Sequence, residues 1–136
     1  MTTKQITTLL YWILFIGIAT YLAYAKGWIF ANFESLSPQE ASALMKSNKN
    51  ITLLDVRTPE EFAQEHIKGA LLIPVQILNS NLSKLSKDKG KKILVYCRSG
   101  NRSIAASRIL AKNGFIPLNV QGGISQWKSE GLSVVR

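Results

Sequence analysis

The sequence predicts an α/β fold, a parallel sheet flanked by helices, preceded by one transmembrane helix. Three observations support this class. After Phe33, short apolar runs alternate with helical segments, a pattern typical of a parallel sheet. Ser37-Pro38-Gln39-Glu40 and Thr58-Pro59-Glu60-Glu61 both have the pattern of a helix start, with a capping box and a proline at the first helical position. Ahead of them, residues 5–25 carry no charged side chain.

The predicted elements alternate as a parallel sheet requires. Ile93–Tyr96 is the clearest buried strand because the run is apolar throughout, and Asn113-Gly114 ends the helix that follows it. The predicted order is a helix to about Lys46, a strand at Ile51–Val56, a helix from Thr58 to Gly69, a strand at Ala70–Ile73, a helix from about Gln76 to Leu85, a strand at Ile93–Tyr96, a helix from Arg102 to Lys112, a strand at Ile116–Val120 and a short helix at Ile124–Ser129.

The amino-terminal segment is long and apolar enough to cross a bilayer. Gln5–Ala25 contains 21 residues without a charge, and a helix of that length rises about 31 Å, the thickness of the hydrocarbon core. Aromatic rings, which favour the headgroup region, lie toward both of its ends: Tyr11, Trp12, Tyr24 and Trp28. We therefore expect residues 1–27 to form a transmembrane anchor and residues 28–136 to form the α/β domain.

The same segment has an alternative interpretation as a cleaved signal peptide, in which Lys4 is the positive start and Ala23-Tyr24-Ala25 the cleavage site. The apolar run exceeds a usual signal sequence and continues beyond that site, which favours the anchor. We expect a single-pass protein of the inner or cell membrane. The basic domain and its free thiol place the domain on the cytoplasmic side; after cleavage it would instead be exported.

Positive charge is concentrated in the domain. Of the 17 lysines and arginines only Lys4 precedes Lys26, while the domain holds all 8 acidic residues. Five lysines crowd one segment with a single aspartate among them: Lys84, Lys87, Lys89, Lys91 and Lys92. This excess suits a small anionic substrate or an anionic membrane surface. Nucleic acid is not expected as a partner, since no aromatic residues are interleaved with the lysines and no recognition module is present.

Cysteine and histidine each occur once, at Cys97 and His66. Within the chain there can be no disulfide and no Cys-x-x-Cys site, and a structural zinc site is not expected. We find no sequence feature that calls for a metal or an organic cofactor. His66 lies near a predicted helix end, and Phe115 and Trp127 are expected in the core.

Cys97 is the candidate nucleophile. It is the first residue after a predicted strand, at the sheet edge where the loops of parallel folds bind ligands. The loop that follows is short and polar and contains Gly100, so its amides can surround one point, and the next helix directs its positive end there. Arg98 and Arg102 add cationic charge. All of these features favour a thiolate that attacks an anionic substrate.

Several motifs together resemble the rhodanese (thiosulfate sulfurtransferase) family over about residues 33–135. Leu54-Asp55-Val56-Arg57 is similar to the family's Asp-Val-Arg stretch. His66-Ile67-Lys68-Gly69-Ala70 resembles its His-Ile-Pro-Gly-Ala signature, with Lys68 where proline is usual. Cys97-Arg98-Ser99-Gly100-Asn101-Arg102 resembles the six-residue active loop, and Gly122-Gly123-Ile124 with Trp127 resembles the closing segment.

The resemblance implies a rhodanese-like fold and a two-step sulfur transfer. Cys97 would take a sulfur atom from thiosulfate or a similar anionic donor as a persulfide and pass it to a thiol acceptor, which can be a protein. Arg98 and Arg102 would bind the donor, and the amides of Ser99, Gly100, Asn101 and Arg102 would surround the persulfide. Asp55 and Arg57 would border the pocket or brace the loop.

Two alternatives remain open at the level of sequence. A cysteine phosphatase or a related arsenate reductase is disfavoured, because four residues separate Cys97 from Arg102 where a phosphatase loop has five between its cysteine and arginine. A membrane-tethered, non-catalytic interaction or sulfur-relay module would explain the anchor and the basic domain without turnover of a small molecule.

Overall fold

The computed structural model describes all 136 residues and divides them into two compact units, Met1–Ala31 and Asn32–Arg136. In the first unit, helix α1 spans Thr3–Ala25 and begins with a capping box between Thr2 and Gln5. Its mean hydropathy of 1.9 and its length suffice for a membrane crossing, and none of it is buried. Helix α1 is therefore a candidate membrane span, although a signal sequence shares these features.

The second unit contains five strands and five α-helices, so the predicted α/β class is confirmed. Their order is β1 (Glu34–Leu36), α2 (Pro38–Ser47), β2 (Thr52–Asp55), α3 (Pro59–Gln64), β3 (Leu71–Leu72), α4 (Val75–Leu78), a 3₁₀ helix (Leu82–Asp88), β4 (Lys92–Tyr96), α5 (Asn101–Lys112), β5 (Ile116–Val120) and α6 (Gly123–Ser129).

All five strands are parallel, in the order β1-β5-β4-β2-β3. Consequently every strand begins at one edge of the sheet, here called the amino edge, and ends at the opposite carboxyl edge. Strand β4 is central, with β2 on one side and β5 on the other. The loop that leaves β4 therefore emerges between the ends of two other strands, which is where ligands bind in open α/β sheets.

Alternation along β4 assigns its side chains to two hydrophobic clusters. Ile93 and Val95 join a cluster that includes Leu110 of α5, whereas Leu94 and Tyr96 face the opposite cluster around Trp127. Cys97 continues the first series and belongs to the same cluster as Ile93 and Val95. The pleat of the strand thus places the thiol on the face that α5 covers. Phe115 and Trp127 are buried in the two clusters, as expected.

Two element predictions were wrong, and one strand was missed. Strand β1 was not predicted, because three residues are too few to show a strand pattern; it forms by pairing with β5. Helix α3 ends at Gln64 rather than at Gly69, because Glu65 is extended and His66 pairs with Val135. The helix predicted over 76–85 is divided into α4 and a 3₁₀ helix. There the side-chain amide of Asn81 donates to the carbonyl of Ile77 at 2.8 Å, competing with the helical backbone bonds.

Candidate active site

Cys97 lies directly after β4 at the carboxyl edge and is 1% exposed. The backbone N–H of Gly100 donates to its Sγ atom at 3.1 Å. Gly100 reaches this position with a φ of +107°, a left-handed conformation that side chains disfavour. The loop therefore folds back on the sulfur within three residues, which requires glycine at its third position after the cysteine.

Helix α5 begins immediately after this turn and supplies electrostatic stabilisation. Gly100 is its N-cap, and no side chain caps its first turn. Amide groups at such a helix start have no intrahelical acceptor and attract an anion. Since twelve residues follow in α5, the positive end of a full helix is directed at the loop that holds Cys97 Sγ. The arrangement therefore directs hydrogen-bond donors and positive charge at an anion held in this loop.

Ser103 completes the surroundings of the sulfur and was not identified from the sequence. Its side chain is fully buried; its hydroxyl donates to the carbonyl of Gly100 at 3.1 Å and lies 3.5 Å from Cys97 Sγ. When Cys97 is a thiol, the hydroxyl oxygen accepts its hydrogen. The signal available was a small polar residue in the first turn of α5, on the side that faces the strand end.

Arg102 is held by Glu61, a residue predicted only as a helix cap. The Arg102 guanidinium donates to both carboxylate oxygens of Glu61, at 2.7 and 2.8 Å. Glu61 also accepts from the Thr58 backbone N–H at 3.0 Å, as the capping box predicts. The hydrogen bonds from Arg102 lower the pKa of Glu61 to about 2, and Glu61, with smaller contributions from Cys97 and Asp55, raises that of Arg102. Arg98 is exposed.

Asp55 and Arg57 form a buried ion pair at the end of β2. Both side chains are almost fully buried, and Nη2 of Arg57 donates to Oδ2 of Asp55 at 2.7 Å and to the carbonyl of Glu65 at 2.7 Å. The guanidinium also lies over the ring of Tyr96, 5.5 Å from its centroid. Burial, then the Asp55 charge, raises the pKa of Tyr96. The pair thus fastens the end of β2 to the segment after α3.

A polar cleft of about 270 Å³ opens beside the loop. Two arginines that follow adjacent strands line it together with residues from around α3 and from α6: Arg57, Arg98, Glu61, Gln64, Glu65, Ile124, Ser125 and Lys128. The sequence did not single out Gln64, Glu65, Ser125 or Lys128. Lys128 and Glu65 form an ion pair across it. The cleft therefore offers both cationic and anionic groups next to the cysteine.

The segment Gly122-Gly123-Ile124 fastens the loop from behind. Ile124 N–H donates to the carbonyl of Cys97 at 2.8 Å, and Ser125 N–H donates to that of Arg98 at 3.0 Å. A Cβ atom on Gly123 would lie 2.3 Å from the Cys97 carbonyl oxygen, closer than real contacts allow. Glycine at this position is therefore a condition for the two hydrogen bonds that set the loop's direction.

The single histidine has its contacts away from the sulfur. His66 stacks on Phe62 with ring centroids 3.9 Å apart, and its Nδ1 lies 3.0 Å from the Phe62 carbonyl. These contacts give it a structural position at the end of α3. No group of three or more histidine, cysteine or acidic residues is arranged to hold a metal ion.

The ion pair between Glu61 and Arg102 should make the free energy of unfolding depend on pH in the acid range. Because the folded-state pKa of Glu61 is lowered from 4.5 to about 2, its contribution is complete above pH 4.5 and is lost as pH falls toward 2. Glu61→Gln should cost about 1–2 kcal/mol at pH 7, discounted because the pair is partly exposed. Urea unfolding in mild detergent at pH 7 and at pH 3 measures it.

Glu60→Gln is the matched control, since Glu60 is the exposed neighbour in the same first turn of α3. Its effect on the free energy of unfolding should stay within about 0.5 kcal/mol. An equal loss in the two variants, or a Glu61→Gln loss that grows as pH falls, would contradict the assignment.

A family model described as a rhodanese-like domain matches residues 37–130 of this chain. The chain belongs to the rhodanese family. Among similar proteins, one of Allochromatium vinosum named sulfurtransferase is 35% identical over 101 residues, covering 74% of this chain and 92% of that protein. The thiosulfate sulfurtransferase PspE of Escherichia coli is 35% identical over 71 residues, covering 52% of this chain and 68% of its own length.

A solved structure has the same fold. The rhodanese-related protein of Thermoplasma volcanium superimposes with a TM-score of 0.69 at 34% identity, over 76% of this chain and 98% of that one. The rhodanese-like α/β fold is thus established for the second unit, and the expected resemblance to sulfurtransferases is confirmed at the level of the family. Lys68, which departs from the expected signature, is exposed and lies outside the loop that holds the cysteine.

Proposed function

We propose that this rhodanese-family protein is a sulfurtransferase that carries a sulfur atom as a persulfide on Cys97. The observation that carries the proposal is the position of Cys97 Sγ, 3.1 Å from a loop N–H at the start of α5. A single arrangement thereby stabilises a thiolate before the reaction and a persulfide anion after it. Relatives named sulfurtransferase and thiosulfate sulfurtransferase support the same chemistry.

The first step loads the cysteine. The Cys97 thiolate attacks the outer sulfur of thiosulfate or a similar donor, forming a new S–S bond. The S–S bond of the donor breaks, and its electron pair leaves with sulfite. Since sulfite is a stable anion, no general acid is needed to protonate the leaving group. Exposed Arg98, in the cleft beside the loop, is the residue proposed to attract the anionic end of the donor.

The second step unloads the sulfur. An acceptor thiolate, or cyanide in an assay, attacks the outer sulfur of the persulfide, and the Cys97 thiolate leaves. Between the two steps the loop must stabilise an anion one atom farther from the strand, for which the amides of Ser99, Gly100, Asn101 and Arg102 are proposed. Arg102, already paired with Glu61, contributes mainly by fixing the start of α5.

The buried position of Cys97 favours sulfur transfer over phosphoryl transfer. At 1% exposure the thiol reacts only with a group that fits between the loop and the helix start. A single sulfur atom occupies less of that space than a phosphoryl group with its oxygens. The four-residue gap between Cys97 and Arg102 gives the loop no additional residue with which to widen.

Steady-state kinetics with thiosulfate and cyanide tests the proposal. The purified chain should form thiocyanate and sulfite in equal amounts, and no turnover would refute the activity. Arg98→Ala should raise the KM for thiosulfate about tenfold with a smaller change in kcat, because the arginine attracts the donor's charge. Lys84→Ala, which removes an equal charge from an exposed site outside the cleft, should leave both constants unchanged.

We further propose that residues 1–27 anchor the protein in the inner or cell membrane, with residues 28–136 in the cytoplasm. The charge-free length of α1 supports the anchor, and the free thiol of Cys97 supports a reducing compartment. Because Cys97 is buried, a Cys97→Ser, Ser86→Cys chain provides an exposed single thiol. An impermeant thiol reagent should label it only after cell lysis; equal labelling in intact cells would place the domain outside.

A protein acceptor fits this arrangement. An anchored domain meets its partner in the aqueous phase beside the membrane, and the mixed charges of the cleft, such as Lys128 and Glu65, can pair with groups on another chain. In this relay form of the proposal the acceptor is a protein thiol rather than a small molecule, and the two-step chemistry is the same. A relay acceptor would be recovered carrying the transferred sulfur atom as its own persulfide after incubation with the persulfide form.

A further inference from the structure

The charges of the domain are divided unevenly between the two edges of the sheet. The amino edge comprises the residues that lead into β1, β2, β4 and β5, numbered 32–34, 46–52, 87–92 and 112–116. The segment before β3 is not part of it, because the two residues of β3 pair with Leu54 and Asp55 at the carboxyl end of β2. Seven lysines lie in these segments, all but the partly buried Lys91 exposed: Lys46, Lys49, Lys87, Lys89, Lys91, Lys92 and Lys112. Only two carboxylates accompany them, Glu34 and Asp88.

The carboxyl edge has no comparable excess. The segments that follow the strands or line the cleft, numbered 37–40, 55–65, 97–102 and 121–128, carry four basic side chains, Arg57, Arg98, Arg102 and Lys128, and five acidic ones, Glu40, Asp55, Glu60, Glu61 and Glu65. Three ion pairs neutralise much of this charge. The positive charge of the domain is therefore concentrated at the amino edge, opposite Cys97.

The lysines of the amino edge are held on ordered segments. Lys92 is the first residue of β4, and Lys46 and Lys112 occupy the last turns of α2 and α5. The hydroxyl of Thr52 donates to Asp88, tying the β2 entry to the lysine-rich segment. The ammonium of Lys89 lies 5.5 Å from the centroid of the Phe115 ring. These contacts gather the charge into one surface.

The chain also reaches the domain at this edge, since Asn32 and Phe33 lead directly into β1. Six residues, 28–33, separate β1 from the proposed anchor, and an extended chain of that length spans at most about 20 Å. If residues 1–27 lie in a bilayer, the amino edge is confined near its surface. Anionic headgroups are then the negative partner within reach, at a distance where lysines are attracted despite salt screening.

From this placement we propose that the amino edge docks on anionic phospholipid headgroups and holds the Cys97 loop away from the bilayer. Strand β4 separates the two edges by about 17 Å, five residues at 3.3 Å each. The sulfur acceptor then approaches from the aqueous side. The inference rests on the proposed anchor and is independent of sulfur transfer.

The test uses the full chain in nanodiscs whose lipids carry a nitroxide on the headgroup. In the Cys97→Ser background, a fluorophore is placed by Ser86→Cys beside Lys87, or by Ser99→Cys at the carboxyl edge. Both positions are exposed. With phosphatidylglycerol mixed into phosphatidylcholine, quenching at position 86 should exceed that at position 99 by about fivefold or more. Phosphatidylcholine alone or high salt should remove most of the difference.

Charge reversal supplies the matched comparison. Lys49→Glu with Lys87→Glu should abolish the extra quenching at position 86, whereas Lys68→Glu with Arg136→Glu changes the net charge equally and should leave it intact. Equal quenching at both positions, or no dependence on the anionic lipid, would overturn headgroup docking. These results would also be expected if the edge bound an acidic protein instead of lipid. Failure of the chain to enter nanodiscs would overturn the anchor as well, without bearing on persulfide chemistry.

Discussion

Cys97→Ser should abolish sulfur loading and leave the fold in place. Serine has nearly the same shape as cysteine, and its hydroxyl can keep the contacts with the Gly100 N–H and with Ser103. An alcohol is not ionised near pH 7 and attacks sulfur poorly, however, so the covalent step is lost. We expect turnover of thiosulfate to fall by about 10³-fold or more.

Intact mass measures the loading step without turnover. After treatment with thiosulfate the wild-type chain should gain one sulfur atom, and cyanide should remove it. Cys97→Ser should gain none. Ser103→Ala is the matched control, because it alters a buried contact of the sulfur and leaves the nucleophile in place. A gain in Cys97→Ser, or none in the wild type, would exclude a persulfide on Cys97.

Much of the fold could be predicted because its signals are local. Ser37 and Thr58 cap α2 and α3 as expected, accepting from the N–H groups of Glu40 and Glu61 at 3.2 Å each. The full capping box that was predicted for both helices forms only in α3. The central strand is a continuous apolar run and the helix after it has apolar residues at helical spacing, and Cys97 lies at the junction between them. Capping, alternation and helical spacing need no knowledge of distant residues.

The wrong predictions depend on distant contacts. Strand β1 has only three residues and becomes a strand through β5, which lies more than eighty positions away. Helix α3 ends early because the Glu65 carbonyl accepts a hydrogen bond from Arg57, and because His66 pairs with Val135 near the end of the chain. Propensity favours continuing the helix, and tertiary hydrogen bonds outweigh it.

The candidate site shows the same division. The loop from Cys97 to Arg102 is contiguous and could be identified from spacing, since each of its members acts within a few residues of the sulfur. Glu61 could be predicted only as a cap. Its second role, holding Arg102 across a separation of 41 positions, follows from the pairing of β2 with β4, which brings the starts of the two following helices together. One carboxylate thus links a helix start to the active loop.

Gly123→Ala should damage both stability and activity, because the new Cβ meets backbone and has no flexible side chain to displace. It would lie 2.3 Å from the Cys97 carbonyl oxygen and 2.6 Å from the carbonyl carbon of Arg98. Relief of that clash must move α6 away from the loop, breaking the Ile124 hydrogen bond to Cys97. We expect a loss of about 3–5 kcal/mol in the free energy of unfolding.

Gly114→Ala separates the clash from backbone strain. Gly114 also has a positive φ, +84° against +60° for Gly123, but a Cβ there meets nothing within 4 Å. It should cost only the left-handed conformation, about 1 kcal/mol, and should retain sulfur loading. Urea unfolding and intact mass after thiosulfate measure the two variants side by side. Equal destabilisation would mean that α6 yields easily, and that the direction of the Cys97 loop is set by β4 and α5 alone.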